Sequence, residues 1–288
     1  MNILVTGGLG FIGSNLVDKL IELGYTVTVL DNLSTGKKEN LNPKARFILG
    51  DVQIFKTNER FDVIYHVAAL ARIQPSIENP VEFHDTNLNG TLNTLMLAKQ
   101  CGAKFVFSSS SSVYGETDIF PTTENVPIHP GSPYAAQKYM SEVYCRLFSE
   151  LYGLNVTVFR YFNVYGFHQI LTGAYAAVVG IFLDQFKNNK SFTIVGDGTQ
   201  SRDFINVQDV VSANVLAVNL KGFNIFNVGV GYDCSINDLA DMISITHPRI
   251  YLPRRSGEYQ KTLAGNSKLI KLGWQPTITL KQWIESIK

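Results

Sequence analysis

The chain is 288 residues long, and because a typical domain has about 100–200 residues we expect one large domain or two interlocked ones. Hydrophobic residues make up 45% of the sequence and charged residues 17%, which excludes an intrinsically disordered chain. The 25 basic and 24 acidic residues give a net charge of +1. This balance provides no general attraction to nucleic acid or to an anionic membrane, so neither is an expected partner.

Three cysteines occur at positions 101, 145 and 234, without a Cys-x-x-Cys spacing. The first residues lack the basic and apolar regions of a signal peptide, and no apolar run of about 18 residues occurs. We therefore expect a cytoplasmic protein without disulfides and without a membrane span. The histidines share no metal-ligand spacing, so no metal site is predicted.

Strands and helices alternate in the first half of the sequence. Short apolar runs predict strands at 3–5, 26–30, 47–49, 63–65, 104–107 and 156–159. Helical periodicity predicts helices at 11–23 and 81–99, and Ser132-Pro133 is typical of the start of a third helix. Such an order predicts an α/β fold with a doubly wound parallel sheet covered on both faces.

The second half is less regular and contains no flexible linker. We expect helices near 174–187, 207–220 and 236–245, with short strands near 192–195 and 223–228. The expected division is a nucleotide-binding domain of residues 1–165 plus about 206–228, and a smaller interlocked α/β lobe of about 166–205 plus 229–288.

Glycines at positions 7, 8, 10 and 13 lie between the first predicted strand and the first helix. This pattern lets the backbone approach a pyrophosphate at the helix N-terminus and predicts a Rossmann-type dinucleotide site. Asp31 ends the second strand, where a carboxylate would bind the adenosine ribose and repel the 2′-phosphate of NADP. The expected cofactor is therefore NAD. Asp51 and Val52 follow the third strand and could contact adenine, although an ordinary turn explains the same spacing.

Tyr134 and Lys138 are four residues apart at the start of the third helix, so they share one helix face. A nearby cation favours the phenolate form and lowers the pKa of a tyrosine, which otherwise lies near 10. We therefore expect Tyr134 to act as a general base near neutral pH, with Lys138 as its electrostatic partner.

Six segments together resemble the extended short-chain dehydrogenase/reductase family, and more closely its nucleotide-sugar 4-epimerases. They are residues 6–13 (TGGLGFIG), 31–34 (DNLS), 66–69 (HVAA), 108–115 (SSSSSVYG), 134–138 (YAAQK) and 160–166 (RYFNVYG). The resemblance extends from residue 2 to about residue 285, with the motifs in the family's order.

The resemblance implies a role for each matching residue. The catalytic residues would be Ser110, Tyr134 and Lys138. With the glycine turn, the cofactor-binding residues would be Gly7, Gly10, Phe11, Ile12, Gly13, Asp31, Asn32, Asp51, Val52, Ala68, Ala69, Asn87, Tyr134 and Lys138. The substrate-binding residues would be Ser110, Asn163, Arg202, Arg255, Glu258 and Thr262, with both arginines on the diphosphate.

The same resemblance implies a homodimer formed by helices near 81–101 and 133–152. An apolar seam could come from Met96, Leu97, Met140, Val143 and Leu147, although these residues could equally face the sheet.

The reaction expected from the resemblance is C4 epimerisation of a UDP-sugar through a 4-keto intermediate. Family dehydratases carry Asp and Glu where this chain has Ser111 and Ser112, and a serine cannot replace a carboxyl group in an elimination. Two alternatives remain open: a nucleotide-sugar oxidoreductase that releases its cofactor, and a non-catalytic nucleotide-binding scaffold.

In the family pattern, the residue at position 262 forms the pocket wall near C2 of the sugar. A tyrosine there restricts the pocket to plain hexoses, whereas Thr262 leaves room for an N-acetyl group. We therefore expect UDP-N-acetylglucosamine and UDP-N-acetylgalactosamine as substrates, with UDP-glucose and UDP-galactose also accepted. The chain departs from the family pattern at Phe167, His168, Thr172, Gly180, Ile181 and Gly265.

Overall fold

The computed structural model describes residues 1–254 and 259–287. Its strands are β1 (Asn2–Thr6), β2 (Thr26–Asp31), β3 (Arg46–Leu49), β4 (Val63–His66), β5 (Lys104–Ser110), β6 (Val156–Tyr161), β7 (Asn163–Tyr165), β8 (Phe192–Val195), β9 (Ser201–Arg202), β10 (Phe204–Asn206), β11 (Phe223–Val228), β12 (Cys234–Ser235) and β13 (Arg249–Leu252). Its α-helices are α1 (Phe11–Glu22), α2 (Ile73–Glu78), α3 (Pro80–His84), α4 (Gly90–Cys101), α5 (Pro133–Tyr152), α6 (Val178–Lys187), α7 (Val207–Leu216), α8 (Ile236–Ile243), α9 (Ser267–Ile270) and α10 (Leu280–Ile287).

The central sheet has seven parallel strands in the order β11-β6-β5-β4-β1-β2-β3. The chain runs outward from β1 through β2 to β3, and then returns to the other side of β1 with β4. Ligands of such sheets bind outside the carboxyl ends of the strands at this change of direction. The predicted Rossmann-type doubly wound sheet is therefore confirmed.

Each face of the sheet is covered by helices. Leu16 and Leu20 of α1 and Val210 of α7 lie in one core, whereas Leu95 of α4 and Phe148 of α5 lie in the core on the opposite face. Burial on both faces explains why the central strands β1 and β4 carry apolar side chains at successive positions.

A third apolar core lies outside the sheet, among residues of the second half of the chain, Tyr165 included. It contains Phe182 of α6, Phe192 of β8, Leu239 of α8 and Ile284 of α10. Three short strand pairs, β7 with β10, β8 with β13 and β9 with β12, surround it.

The predicted helix at 81–99 forms, but with a change of winding. Helices α3 and α4 are joined by a π-helical turn at Asp85–Asn89, so the segment from Pro80 to Cys101 is continuously helical. Single π turns within α-helices are frequent at functional sites. Among the residues that the structure describes, no helix is long and apolar enough to cross a membrane.

A buried ion pair joins α5 to the sheet. Arg160 on β6 donates from Nε and Nη2 to the Glu142 carboxylate, and the two side chains are only 5% and 3% exposed. Ser109 Oγ at the end of β5 donates to the same carboxylate at 2.5 Å. Arg160 Nη1 donates a further hydrogen bond to the Tyr114 hydroxyl at 2.8 Å. Glu142 thus fixes α5 to two neighbouring strands.

We predict that Arg160→Met lowers the free energy of unfolding by about 3–5 kcal/mol, because it leaves the Glu142 charge buried without its partner. The matched control is Arg46→Met, which breaks an exposed ion pair with Glu59 and should cost less than about 1 kcal/mol. Urea unfolding measures both values. Equal losses in the two variants would contradict the structural role of the buried pair.

Candidate active site

A cavity of about 580 Å³ opens along the carboxyl ends of the strands and extends to the lobe. Most of the residues predicted for the site lie together in its wall. They are Gly7, Gly10, Phe11, Ile12, Gly13, Asp31, Asn32, Val52, Ala68, Ala69, Ser110, Tyr134, Asn163, Arg202 and Thr262. The sheet therefore brings together residues that are up to 255 positions apart in the sequence (262 − 7).

The glycine turn at one end of the cavity has the shape that a pyrophosphate requires. Gly7 has a φ of +65°, and a Cβ added to Gly13 would lie 2.1 Å from the Gly7 carbonyl oxygen. Gly10 precedes α1 and supplies no side-chain cap, so backbone N–H groups are presented at the helix N-terminus. This turn fits the diphosphate of a dinucleotide.

Asp31 lies at the end of β2 beside the same turn. Its carboxylate accepts hydrogen bonds from the backbone N–H of Leu9 at 3.0 Å and of Leu33 at 2.8 Å. These two bonds fix the position of the carboxylate in the cavity wall while leaving lone pairs on both oxygens. The arrangement fits an adenosine ribose with two free hydroxyls, as in NAD.

Tyr134 and Ser110 meet across the cavity from the glycine turn. Tyr134 lies in the first turn of α5, whose N-cap is Ser132 as predicted, and Ser110 is the last residue of β5. A side-chain hydrogen bond joins the two hydroxyl groups. A phenol and an alcohol are thus placed together where a sugar hydroxyl could contact both.

The pKa of Tyr134 differs from our expectation. Burial raises it above the usual value, while the hydrogen bond with Ser110 and the positive charge of Arg72 act in the opposite direction. Desolvation of the phenolate outweighs both favourable interactions. Burial therefore opposes the lowered pKa that the neighbouring lysine was expected to give Tyr134.

Lys138 lies behind the wall of the cavity. Its Nζ donates to the Ser108 carbonyl oxygen at 2.8 Å and lies 4.9 Å from the centre of the Phe107 ring. Burial lowers the pKa of Lys138 to about 8, although Cys145 and Glu142 oppose the shift. The lysine thus secures the end of β5 that leads to Ser110.

Two predicted cofactor residues are also placed outside the cavity wall. Asn87 is buried in the π turn, where its side chain accepts from Leu70 N–H and donates to the Leu70 carbonyl oxygen and to Gln137. Asn87 therefore shapes the loop after β4 and does not line the cavity. Asp51 accepts from Asn32 Nδ2 at 2.9 Å, and only the adjacent Val52 lines the cavity.

The lobe supplies the other side of the cavity. Asn163 Nδ2 donates to Thr262 Oγ1 at 3.0 Å and to the Asp203 carbonyl oxygen at 3.0 Å. Arg202 also lines the cavity, and its Nη1 donates to the Ser201 carbonyl oxygen at 2.8 Å. The predicted substrate residues Arg255 and Glu258 lie outside the described residues.

The sequence analysis did not identify two residues that the structure places at or beside the site. Glu142 shares a helix face with Tyr134 and Lys138 because the three are spaced by four residues, and this spacing was available as a signal. Arg72 lines the cavity with a φ of +98°, and no sequence pattern indicated that conformation.

Residues 3–229 match the model of the NAD dependent epimerase/dehydratase family. The chain belongs to this family. The expected NAD cofactor is confirmed by this match, and the glycine turn and Asp31 fit it.

Curated and solved relatives cover nearly the whole chain. A putative UDP-glucose 4-epimerase of Methanocaldococcus jannaschii is 44% identical over 99% of this chain and 96% of its own length. The UDP-glucose 4-epimerase of Thermotoga maritima, solved with UDP-glucose, is 39% identical with a TM-score of 0.94, covering 99% and 96% of the two chains. A UDP-N-acetylglucosamine 4-epimerase of Methanobrevibacter ruminantium, solved with UDP-N-acetylmuramic acid, is 37% identical with a TM-score of 0.92, covering 99% and 97%. The expectation of an enzyme of the isomerase class is confirmed.

We predict that Gly13→Ala abolishes NAD binding, because the added methyl group would lie 2.1 Å from the Gly7 carbonyl oxygen and the turn would have to open. Equilibrium titration with NAD measures the loss. The control is Gly24→Ala at the end of α1, where the added Cβ has no neighbour within 4 Å and a φ of +81° brings only local strain. Undiminished NAD affinity in Gly13→Ala would refute the assignment of the glycine turn as the NAD-binding site.

Proposed function

We propose that this protein epimerises UDP-sugars at C4, and that among neutral sugars UDP-N-acetylglucosamine and UDP-N-acetylgalactosamine are the main pair, with UDP-glucose and UDP-galactose also accepted. The observation that carries the proposal is that Ser110 and Tyr134 both line the cavity that also contains the glycine turn. Tyr134, which would transfer a proton, and the glycine turn, which would bind a hydride-transferring cofactor, then face the same substrate.

NAD held by the glycine turn and Asp31 would supply the hydride acceptor for C4 and the hydride donor for the resulting ketone. Tyr134 takes the proton of the C4 hydroxyl during oxidation and gives it back during reduction. Ser110 donates or accepts a hydrogen bond at the same oxygen and orients it towards the phenol. Return of the hydride to the other face of the sugar inverts C4.

Epimerisation is favoured over elimination by the charges in the cavity wall. Ser111 and Ser112 line the cavity beside Ser110, where an elimination would need a carboxyl group. Among the described lining residues the only carboxylate is Asp31, which belongs to the cofactor end. Among the described lining residues, no pair of carboxyl groups is therefore available near the sugar for removal of water.

Substrate anchoring is proposed on the lobe side. Arg202 would bind the diphosphate through its guanidinium group, and Arg255 and Glu258 keep the diphosphate and ribose roles implied by the resemblance. Asn163 already donates to Thr262, so these two side chains form one part of the wall. An anchor on the diphosphate leaves the sugar ring able to turn between the two hydride transfers.

We propose that the two expected domains bind different molecules. Residues 1–165 with about 206–228 would hold NAD, and about 166–205 with 229–288 would hold the UDP-sugar. Three free cysteines fit a reducing compartment, and a cytoplasmic location remains part of the proposal.

A homodimer through α4 and α5 is also proposed. Met96, Met140 and Leu147 are 50%, 47% and 37% exposed, so they point away from the sheet and could form the apolar seam. Leu97 is 6% exposed and belongs to the core between α4 and the sheet, which removes it from the expected seam. Val143 is half-buried.

The proposal is tested by NMR of purified protein with UDP-N-acetylglucosamine, followed through the anomeric signals of the sugar. We expect UDP-N-acetylgalactosamine to form, and Tyr134→Phe to reduce turnover by about 10²–10⁴-fold because the general base is lost. Tyr139→Phe, an exposed tyrosine of the same helix, is the control. Full activity in Tyr134→Phe, or absence of epimerisation with both N-acetylated and plain sugars in the NAD-loaded enzyme, would overturn the proposal.

We further predict that Thr262→Tyr lowers kcat/KM for UDP-N-acetylglucosamine by at least about tenfold relative to UDP-glucose, since the larger side chain would fill the space beside C2. Thr262→Val retains the side-chain volume and serves as the control. An unchanged preference in Thr262→Tyr would show that this position does not form the wall near the N-acetyl group.

A further inference from the structure

Arg72 places a positive charge in the cavity that the proposed reaction does not use. It follows the loop after β4 and directly precedes α2, and its side chain lines the cavity. Its Nε donates to the Tyr175 carbonyl oxygen at 2.9 Å, which ties the guanidinium group to the opposite, lobe side of the cavity. The position of the guanidinium group is thus set by a contact across the cavity.

The backbone at Arg72 is strained. Its φ of +98° and ψ of 143° lie in a region that only glycine adopts readily. Strained non-glycine residues cluster at functional sites, where the surrounding structure holds them in place. A glycine here would remove the strain, so the presence of arginine points to a use for its side chain.

The charge lies at the reacting end of the sugar site. Arg72 acts electrostatically on the Tyr134 phenol, the group that is proposed to contact the C4 hydroxyl. Among the described lining residues three are charged, and the other two, Asp31 and Arg202, are assigned to the cofactor ribose and the substrate diphosphate. The diphosphate is attached at C1, on the side of a hexose opposite to C4. A cation beside Tyr134 therefore faces the substituents next to C4.

We propose that Arg72 binds a carboxylate carried by the sugar next to C4, so that the preferred substrates are acidic UDP-sugars. This inference rests on the proposed C4 epimerisation. The carboxylate is either C6 of a hexuronate or the acid of an ether substituent on O3, since the ring carbons that carry these groups, C5 and C3, both adjoin C4. A guanidinium group binds a carboxylate through two parallel hydrogen bonds, whereas a neutral hexose offers it no charge to balance. The carboxylate is bound and is not altered by the reaction.

The proposal is tested by comparing matched acidic and neutral substrates on the NAD-loaded enzyme. The first pair is UDP-glucuronate with UDP-glucose, and the second is UDP-N-acetylmuramate with UDP-N-acetylglucosamine. We expect the native enzyme to favour the acidic member of at least one pair in kcat/KM, and the pair that responds locates the carboxylate at C6 or at O3. Arg72→Gln should reduce that acidic-to-neutral ratio by about 10- to 100-fold, mainly through KM, because a charge-assisted contact is lost.

The control is Arg60→Gln, which removes an exposed arginine outside the cavity and should leave the ratio unchanged. An equal loss for acidic and neutral substrates in Arg72→Gln would overturn the proposal and make Arg72 a general positioning residue. Epimerisation of neutral sugars without a preference for either acid would overturn it while leaving the proposed function intact.

Equilibrium binding to the Tyr134→Phe variant separates the two proposals further. The decisive result is an acidic sugar that binds more tightly than its neutral partner only when Arg72 is present, while the native enzyme turns over neither sugar. That result would support the carboxylate site and contradict the proposed epimerase activity.

Discussion

The buried ion pair between Arg160 and Glu142 is the contact on which the geometry of the active site depends. It joins α5, which carries Tyr134, to β6, while Ser109 attaches the same carboxylate to the end of β5 one residue before Ser110. A paired buried charge tolerates little displacement, because loss of either partner leaves the other desolvated. The distance between the phenol and the serine hydroxyl is therefore set by a contact inside the protein, below the cavity floor.

The network continues beyond the ion pair into the last strand of the sheet and the segments around it. Arg160 donates to the Tyr114 hydroxyl, which donates to Asn227 Oδ1 at 2.7 Å, and Asn227 Nδ2 donates to the Thr122 carbonyl oxygen at 2.8 Å. β11 therefore takes part in fixing the catalytic helix although it lies at the edge of the sheet. This explains in physical terms why residues 223–228 belong with the first half of the chain.

The two ends of the cavity are built on different principles. At the cofactor end, recognition depends mainly on backbone geometry that glycine permits, with Asp31 as the selective side chain. At the proposed sugar end, the wall is formed by side chains from both parts of the chain, including Thr262 and Arg72. Substitutions at the sugar end can therefore change the substrate while the cofactor and the hydride chemistry stay the same.

The sequence predicted the features that depend on local pattern. The alternation of strands and helices, the glycine turn and the start of α5 at Ser132-Pro133 were all predicted correctly because each has a short-range signal. The strand predicted near 192–195 is β8. Strands β9 and β12 were missed, since they have two residues each and are defined by partners distant in the sequence. Helix α6 begins at Val178, four residues later than the segment expected from 174.

Predictions that depend on burial were less successful. The pKa of Tyr134 was expected to fall because a lysine was four residues away, but desolvation within the folded site outweighs the favourable charges. Spacing along a helix shows which side chains are neighbours, but not how deeply they are buried. Asn87, which the family resemblance implied as a cofactor ligand, directs its amide to Leu70 in the π turn.

The most direct test of the central claim is the fate of the hydrogen on C4 when the reaction is run in deuterium oxide. If the carbon-bound hydrogen leaves and returns as a hydride, it never mixes with solvent, and the epimerised product should retain protium at C4. NMR of the isolated product distinguishes protium from deuterium at that position. Protium at C4 with inverted configuration is the result that we predict, and deuterium at C4 would contradict a redox mechanism built on Tyr134 and the NAD cradle.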